Sequence, residues 1–307
     1  MSRVIVGFDS RDESNDALAL GQALAGAYDA ELHVAIVLPR KGVPFERAIA
    51  GGPVSTQLDE RLYEIAERRL GHADFTRARL DGELGGRSAA RALYEYAGEV
   101  EAGLIVVGSS HRGKLGRILP GSVGESLLRG APCAVAIAPR GFSEHEHPGF
   151  DLIGVAYDGS DEAALALAEA DRLSRSVGAK LRVITVVPTK TSFELQVALA
   201  GELLEDLRDE FGRILERGLS ELDEETKSEG VLREGDPAAV LDEEALDLDL
   251  LVMGSRGYGP VRNTLLGAIS SAVSRTASCP VLITPRGSAH QPKPNQGAAD
   301  HELAVEQ

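Results

Sequence analysis

The sequence predicts an α/β protein made of two tandem Rossmann-like domains, each a parallel sheet of five strands with helices on both faces. Three observations predict this fold. Short continuous apolar runs alternate with segments of helical periodicity, which is typical of parallel strands buried on both faces. The same order of segments occurs twice along the chain. The length of 307 residues is enough for two domains that each bury a core.

The first half contains five segments that we predict to be strands, most of them continuous apolar runs. They are residues 4–8, 32–38, 75–80, 104–107 and 134–138. Apolar residues at helical spacing lie between them, and residues 10–14 offer capping side chains before the first helix. Alternation of this kind predicts right-handed crossovers that place helices on both faces of a parallel sheet.

The second half repeats this order. Predicted strands lie at 153–157, 181–187, 231–235 and 248–253, and a long segment at 203–222 carries one apolar stripe that we interpret as core. Residues 131–141 and 277–287 share a cysteine, an apolar run and the tripeptide Pro-Arg-Gly. The chain is therefore an internal duplication.

Segments without periodicity set the predicted boundaries. We predict a first domain at 1–141, a linker at 142–150, a second domain at 151–287 and a disordered tail at 288–307. The linker contains His145 and His147, which could hold a metal. The alternative is a solvated polar linker, and no other ligand cluster accompanies the two histidines.

The composition excludes several kinds of partner. A formal net charge of -16 disfavours nucleic acid, which requires clustered Lys and Arg. The N-terminal residues lack a signal-peptide pattern, and no apolar run approaches the roughly 18 residues of a membrane span. These features predict a cytoplasmic protein without a membrane partner. The two cysteines, Cys133 and Cys279, fit neither a disulfide framework nor a zinc site and are predicted to be buried.

A glycine-rich stretch follows the fourth predicted strand of each half. The first stretch contains Arg112, Lys114 and Arg117, and the second contains Arg256 and Arg262, without an acidic residue among them. Glycine allows the main chain to lie against a ligand, and a helix that begins after the stretch presents amides that attract anions. We predict a small anionic ligand, although each glycine alone could serve a turn.

An aspartate follows the first strand of each half, and a valine ends the second strand. Asp9 and Asp158 could bind a ribose hydroxyl or support Mg²⁺, or they could cap the following helix. Val37 and Val186 could contact a purine or belong to the core. In parallel sheets all these positions meet at the carboxyl ends of the strands, where ligands bind.

Several better-known motifs are absent from the sequence. It contains no P-loop, no Gly-x-Gly-x-x-Gly dinucleotide fingerprint and no Gly-x-Ser-x-Gly nucleophile elbow. Hydride transfer and esterase chemistry therefore lack their usual sequence support. We identify no catalytic residue.

The spacing of the glycines carries a resemblance to a known family. Gly254, Gly257 and Gly267 form Gly-x2-Gly-x9-Gly, followed by Ala268. Gly108, Gly121 and Ser122 have the same outer spacing, with His111 in the middle place. This pattern resembles the universal stress proteins, whose ATP-binding members carry Gly-x2-Gly-x9-Gly-Ser/Thr. The resemblance extends as two tandem copies over nearly the whole chain to Gly287.

The resemblance implies a strand order of 3-2-1-4-5 in each domain, with the domains paired through their last strands, and it leaves open a homodimer of tandem chains. It implies ATP, possibly with Mg²⁺, as the ligand. It assigns adenine or ribose contacts to Asp9, Val37, Asp158 and Val186. It assigns phosphate contacts to the glycine loops and the amides after them: Gly108, His111, Gly121, Ser122, Val123, Gly254, Gly257, Gly267, Ala268 and Ile269.

Three residues depart from the family pattern. Ser10 replaces the glycine that Gly159 supplies in the second half. His111 adds a side chain where glycine is expected, and its ring could also donate to a phosphate. Ala268 lacks the hydroxyl donor of Ser or Thr but keeps its amide. The main hypothesis is an ATP-binding protein of stress response or energy-state signalling. One alternative is a nucleotide-free interaction protein of the same fold, and another is an enzyme of small-molecule phosphate or acyl chemistry.

Overall fold

A computed structural model describes residues 2–9, 11–39, 54–71, 73–82, 86–110, 114–144, 149–189, 202–255 and 267–285. The remaining segments include His111, Gly257, both linker histidines and the predicted tail, so the predictions made for them lie outside the described residues.

The first half alternates strands and helices as predicted. Its strands are β1 Arg3–Gly7, β2 Glu31–Pro39, β3 Thr76–Gly82, β4 Leu104–Gly108 and β5 Ala134–Ala138. Its helices are α1 Asp12–Tyr28, α2 Val54–Leu70, α3 Gly86–Glu99 and α4 Ser122–Gly130. The apolar runs form these strands because both faces of each central strand are covered, and β1, β4 and β5 have buried interiors.

The second half repeats the arrangement. Its strands are β6 Leu152–Ala156, β7 Lys180–Pro188, β8 Ser228–Gly235, β9 Leu250–Gly254 and β10 Val281–Thr284. Its helices are α5 Asp161–Val177, α6 Glu202–Ser220, α7 Pro237–Glu244 and α8 Ala268–Val273. The apolar stripe of α6 faces the core, with Leu215 buried and Ile214 and Leu219 packed at the margin.

The two halves form one continuous sheet. Among the described residues its order is β3-β2-β1-β4-β5-β10-β9-β6-β7-β8, so each half has the predicted order 3-2-1-4-5. Pairing within each half is parallel, whereas β5 and β10 pair antiparallel, with Ala136 opposite Leu282. The predicted pairing through the last strands is confirmed. We call the β5–β10 pairing the seam. Because the seam is antiparallel, the carboxyl ends of the two sets of strands lie at opposite edges of the sheet.

Two layers of apolar side chains cover this sheet. One layer joins α1, α2, α5 and α6, and the other joins α3, α4, α7 and α8. Each layer contains residues of both halves, so the core is continuous across the seam. No helix among the described residues is long and apolar enough to cross a membrane.

The ends of the predicted linker are packed rather than solvated. A short 3-10 helix at Phe142–Glu144 follows β5, and both Phe142 and Phe150 are buried in the core layer of α1 and α5. The expectation of a solvated linker is therefore wrong at these two positions, because their aromatic rings gain more from burial than from water contact.

Candidate functional site

The candidate site of each half lies where the strand order changes direction. β1 pairs with β2 on one side and with β4 on the other, and β6 pairs equivalently with β7 and β9. A crevice forms at such a switch point, beyond the carboxyl ends of the strands. The structure places Asp9, Val37 and Gly108 at this edge in the first half. Asp158, Val186 and Gly254 lie at the equivalent edge in the second half.

The two aspartates brace the turn after the first strand and do not cap a helix. The N-cap of α1 is Arg11 and that of α5 is Ser160, which excludes the capping alternative. Asp158 Oδ1 accepts from Ser160 N at 3.0 Å and from Ser160 Oγ at 2.6 Å. Asp9 Oδ1 accepts from Arg11 N at 3.2 Å. Both carboxylates are therefore held at the crevice by the turn that follows them.

The turn of the second half requires a glycine. Gly159 has a φ of 77°, in the left-handed region that side chains disfavour. Ser160, held by Asp158, also accepts from Ala163 N at 3.2 Å and so caps α5. In the first half the position equivalent to Gly159 is Ser10, which lies outside the described residues.

The first glycine of each motif packs against helix backbone. A Cβ atom on Gly108 would lie 1.7 Å from the main-chain oxygen of Glu13 in α1. A Cβ atom on Gly254 would lie 2.7 Å from the main-chain oxygen of Glu162 in α5. Both separations are far shorter than van der Waals contact. Close packing between strand and helix is thus sufficient to require these two glycines.

The last glycine of each motif opens a helix. Gly121 is the N-cap of α4 and Gly267 that of α8, and neither helix has a side-chain capping bond. The first amides of a helix have no intrahelical acceptor and carry partial positive charge. Ser122 and Ala268 are exposed at these ends, Ile269 is also exposed, and Val123 is half-buried. These amides could therefore meet an anion from solvent.

The two valines hold an intermediate position. Val37 and Val186 are both half-buried and pack against the core layer of α3 and α7. Each valine therefore lies at the edge of the core, and part of its side chain remains exposed on that face of the sheet. This exposure is compatible with contact to a planar ring, and core packing alone also explains it.

One basic side chain of the loop between β4 and α4 binds the second domain. Arg117 Nη1 donates to Thr276 O at 2.7 Å, and Ile118 N donates to Ala277 O at 2.9 Å. Of the basic residues that suggested an anion site, Arg117 therefore binds the second domain. Lys114 is exposed. Arg112, Arg256 and Arg262 lie outside the described residues.

The cysteines are structural. Both Cys133 and Cys279 are buried, as predicted, and desolvation raises each thiol pKa to about 12. A protonated thiol is a poor nucleophile and a poor metal ligand. Within the described ranges, no group of three or more His, Cys, Asp or Glu side chains is placed to hold a metal ion.

A family model described as "Universal stress protein family" matches the chain twice, over residues 1–139 and 149–285. The chain belongs to the universal stress protein family. The match includes the crevice, the glycine turns and the last strand of each half. The resemblance that the glycine spacing carries is therefore confirmed at the level of the family.

Individual relatives agree with this assignment. A universal stress protein of Mycolicibacterium smegmatis is 29% identical over 295 residues, which cover 91% of this chain and 96% of the relative. A crystal structure of a universal stress protein from Archaeoglobus fulgidus superposes with a TM-score of 0.59 at 22% identity, covering 93% of this chain and 96% of the other. The second comparison shows the shared tandem fold.

A smaller member of the family was solved in complex with cAMP. It covers 44% of this chain and 97% of its own, at 25% identity and a TM-score of 0.35.

The residues that join the two domains at the site could not be recognised from local sequence patterns. Thr276 and Ala277 accept from the first domain's loop, and Arg275 lies 3.2 Å from Glu125 of α4. These partners are about 150 residues apart in the chain, with no shared motif. Only the expected pairing of the last strands would have brought the two segments close.

Proposed function

We propose that this universal stress protein binds ATP, with Mg²⁺, at the carboxyl edge of each half and reports stress or energy state through nucleotide occupancy. The observation that carries the proposal is the uncapped helix start after Gly121 and after Gly267, each at the edge where a braced aspartate also lies. Amides at a helix start favour phosphate, and a fixed carboxylate favours a ribose hydroxyl.

The second crevice is the better prepared for a nucleotide. Asp158 is half-buried and accepts two hydrogen bonds from Ser160, whereas Asp9 is exposed and contacts the amide and the guanidinium of Arg11, which is itself exposed. A carboxylate fixed before binding loses less conformational freedom when the ligand arrives. Ala268 lacks the hydroxyl of Ser122, which is worth about 0.5–1.5 kcal/mol as one hydrogen bond. The fixed carboxylate favours the second site and the missing hydroxyl favours the first. Because these two effects oppose each other, we expect both sites to bind ATP.

The nucleotide-free interaction protein remains the second candidate. Its support is the packing of Gly108 against Glu13 and of Gly254 against Glu162, which explains two motif glycines without a ligand. Under this hypothesis the function lies in the surfaces of the domain pair and in the acidic helices. We assign no catalytic residue under either hypothesis. The cytoplasmic location and a homodimer of tandem chains stay predictions.

The test begins with the purified full-length chain. Native mass spectrometry determines whether a nucleotide co-purifies and at what ratio to protein. Calorimetry then compares ATP, ADP, AMP and cAMP, with and without Mg²⁺. A ligand that binds only the folded state raises its stability by RT ln(1 + [L]/Kd), so a thermal shift provides an independent readout.

Two charge-adding variants locate the sites without disturbing the packed glycines. Ser122→Asp and Ala268→Asp each place a carboxylate at the first position of α4 or α8, where helices tolerate acids and where the phosphates would lie. We expect each variant to remove one binding event and the double variant to remove both. Ser228→Asp, which adds the same charge at the exposed start of β8, is the matched control.

The outcomes separate the two candidates. Loss of ATP binding in the double variant, with binding retained in Ser228→Asp, supports the proposal. A wild-type chain that carries no nucleotide and gains no stability from any of the four would favour the interaction protein. Metal-dependent turnover that Asp158→Ala abolishes would instead support an enzyme.

A further inference from the structure

The loop between β4 and α4 is held in place by hydrogen bonds to both domains. Gly116 N donates to Arg140 O at 2.8 Å, and Arg140 N donates to Arg117 O at 3.2 Å, so the returning arm of the loop pairs with the chain after β5. The next residue, Ile118, donates to Ala277 O of the second domain and is itself buried. The arm is thus clamped at the seam before it reaches Gly121.

The second domain also contributes a charge at this helix start. Glu125 lies in the first turn of α4, four residues after the N-cap. Its Oε1 accepts from Arg275 Nη2 at 3.2 Å, and its Oε2 lies 3.9 Å from Arg129 of its own helix. An acid in the first turn stabilises a helix but competes with any anion that the helix start would bind. Arg275 reduces that competition from across the seam.

The two halves differ at this position. Four residues after Gly267, the N-cap of α8, the chain has Ser271 in place of an acid. The start of α8 therefore has no carboxylate in its first turn. Of these two helix starts, only that of α4 has one, and the second domain supplies a charge that compensates it. Duplication of the fold has not duplicated the electrostatics.

We propose that Arg275 of the second domain is a positioning residue for the first domain's phosphate site, which it serves by neutralising Glu125. This inference rests on the proposed nucleotide binding. It implies that the first site is complete only when the two domains are paired as in this sheet. It also predicts that occupancy of the first site depends on the segment that follows α8, the helix of the second site.

The test measures ATP affinity of the first site alone, by calorimetry on the full chain carrying Ala268→Asp to block the second site. Adding Arg275→Ala removes the closer of the two guanidinium groups beside Glu125 and leaves Arg129 at 3.9 Å, and we expect ATP to bind about two- to fivefold more weakly. Arg275→Lys keeps the charge and should retain most of the affinity. Arg172→Ala is the matched control, because Arg172 joins the domains elsewhere, over the ring of Tyr28 at 4.7 Å.

Rescue separates a charge effect from a structural one. If Arg275 acts by neutralising Glu125, then Glu125→Gln alone leaves affinity equal or higher, and Glu125→Gln combined with Arg275→Ala restores it. If the ion pair merely supports the seam, both single variants weaken binding alike and the double variant does not recover. The charge effect should also shrink at high ionic strength, since the side chains are 51% and 37% exposed.

Three results would overturn the inference. They are an unchanged affinity in Arg275→Ala, an equal loss in Arg172→Ala, and no rescue by Glu125→Gln. If the Ala268→Asp chain binds no ATP at all while the wild type does, the first site does not exist and this inference fails with it. If the wild type binds no nucleotide either, the proposed function itself has failed.

Discussion

Gly108 and Glu13 approach so closely that a Cβ atom on the glycine would lie 1.7 Å from the glutamate's main-chain oxygen. The end of β4 and the start of α1 are therefore in direct backbone contact at the crevice. This contact sets the distance between β4 and the braced aspartate after β1. The glycine thus shapes the candidate site even if it never contacts a ligand.

Gly108→Ala should destabilise the protein strongly. The methyl group cannot fit unless α1 or β4 moves, and overpacking of this kind costs about 3 kcal/mol or more. Gly254→Ala should cost less, because its nearest backbone atom would be 2.7 Å away. Urea unfolding monitored by circular dichroism measures both losses.

Gly26→Ala is the control for that comparison. Gly26 lies inside α1 on the exposed side, and nothing lies within 4 Å of an added Cβ. Alanine there should stabilise the helix by about 0.5–1 kcal/mol. If Gly108→Ala were as well tolerated as Gly26→Ala, the close approach would be wrong, and a ligand would again be the better explanation of the motif glycine.

Asp16 should be essential to the segment after β5. Its carboxylate is 2% exposed and accepts from Gly141 N and Ser143 N, each at 2.8 Å, and from Ser143 Oγ at 2.7 Å. Asp16→Ala removes the buried carboxylate that accepts from both amides and should cost about 2–3 kcal/mol in the free energy of unfolding. Amide exchange of Gly141 and Ser143 should rise in the same variant.

Exposed Asp74 provides the comparison for Asp16. Asp74→Ala should change the free energy of unfolding by less than about 0.5 kcal/mol, as is usual for surface positions. Equal effects of the two substitutions would mean that the bonds of Asp16 contribute nothing net.

The fold class could be predicted from local sequence, because each strand and each helix carries its own apolar pattern and the two patterns alternate along the chain. The strand order and the seam came from the family resemblance. The roles of Gly108 and Asp16 could not be predicted, because their partners are distant in the chain. Gly108 meets Glu13 of another element, and Asp16 bonds Gly141 at a separation of 125 residues. Their residue types are also common in turns and helices.

The aspartates at the strand ends show the same limit. Position alone left ribose contact and helix capping equally open for Asp9 and Asp158. The distinction depends on where the helix begins, and the structure starts α1 at Asp12 and α5 at Asp161, after N-caps Arg11 and Ser160. A shift of one or two residues in a helix start, which patterns do not resolve, decides the role of the side chain.

Both thiols should resist alkylation in the folded protein. Burial raises the pKa of Cys133 and Cys279 from 9.0 to about 12, because the low-dielectric interior disfavours the thiolate. Iodoacetamide reacts with the thiolate, so intact-mass analysis near pH 8 should show no adduct on the native chain and two after denaturation. Rapid labelling of the native protein would contradict this burial.

The sign of the pH effect follows from the same shift. A thiol with a raised folded pKa stays protonated in the folded state while the unfolded thiol ionises above 9.0. The free energy of unfolding should therefore be at its full value below pH 9 and decline as pH rises towards 12. Cys279→Ala, which removes one of the two groups, should show a shallower alkaline decline than the wild type.

The two halves should unfold together rather than one after the other. Leu282 of β10 is fully buried, lies opposite Ala136 of β5 across the seam, and belongs to a core layer that both halves share. Leu282→Ala should cost about 2–5 kcal/mol and lower the stability of both halves by the same amount. Hydrogen exchange of β1 and β6 under increasing urea measures the stability of the two halves separately.

Leu165→Ala, at a 40% exposed position of α5, is the control and should leave the stability of both halves unchanged. If β1 kept its protection in Leu282→Ala while β6 lost it, the seam would be a contact between independent domains rather than a shared core.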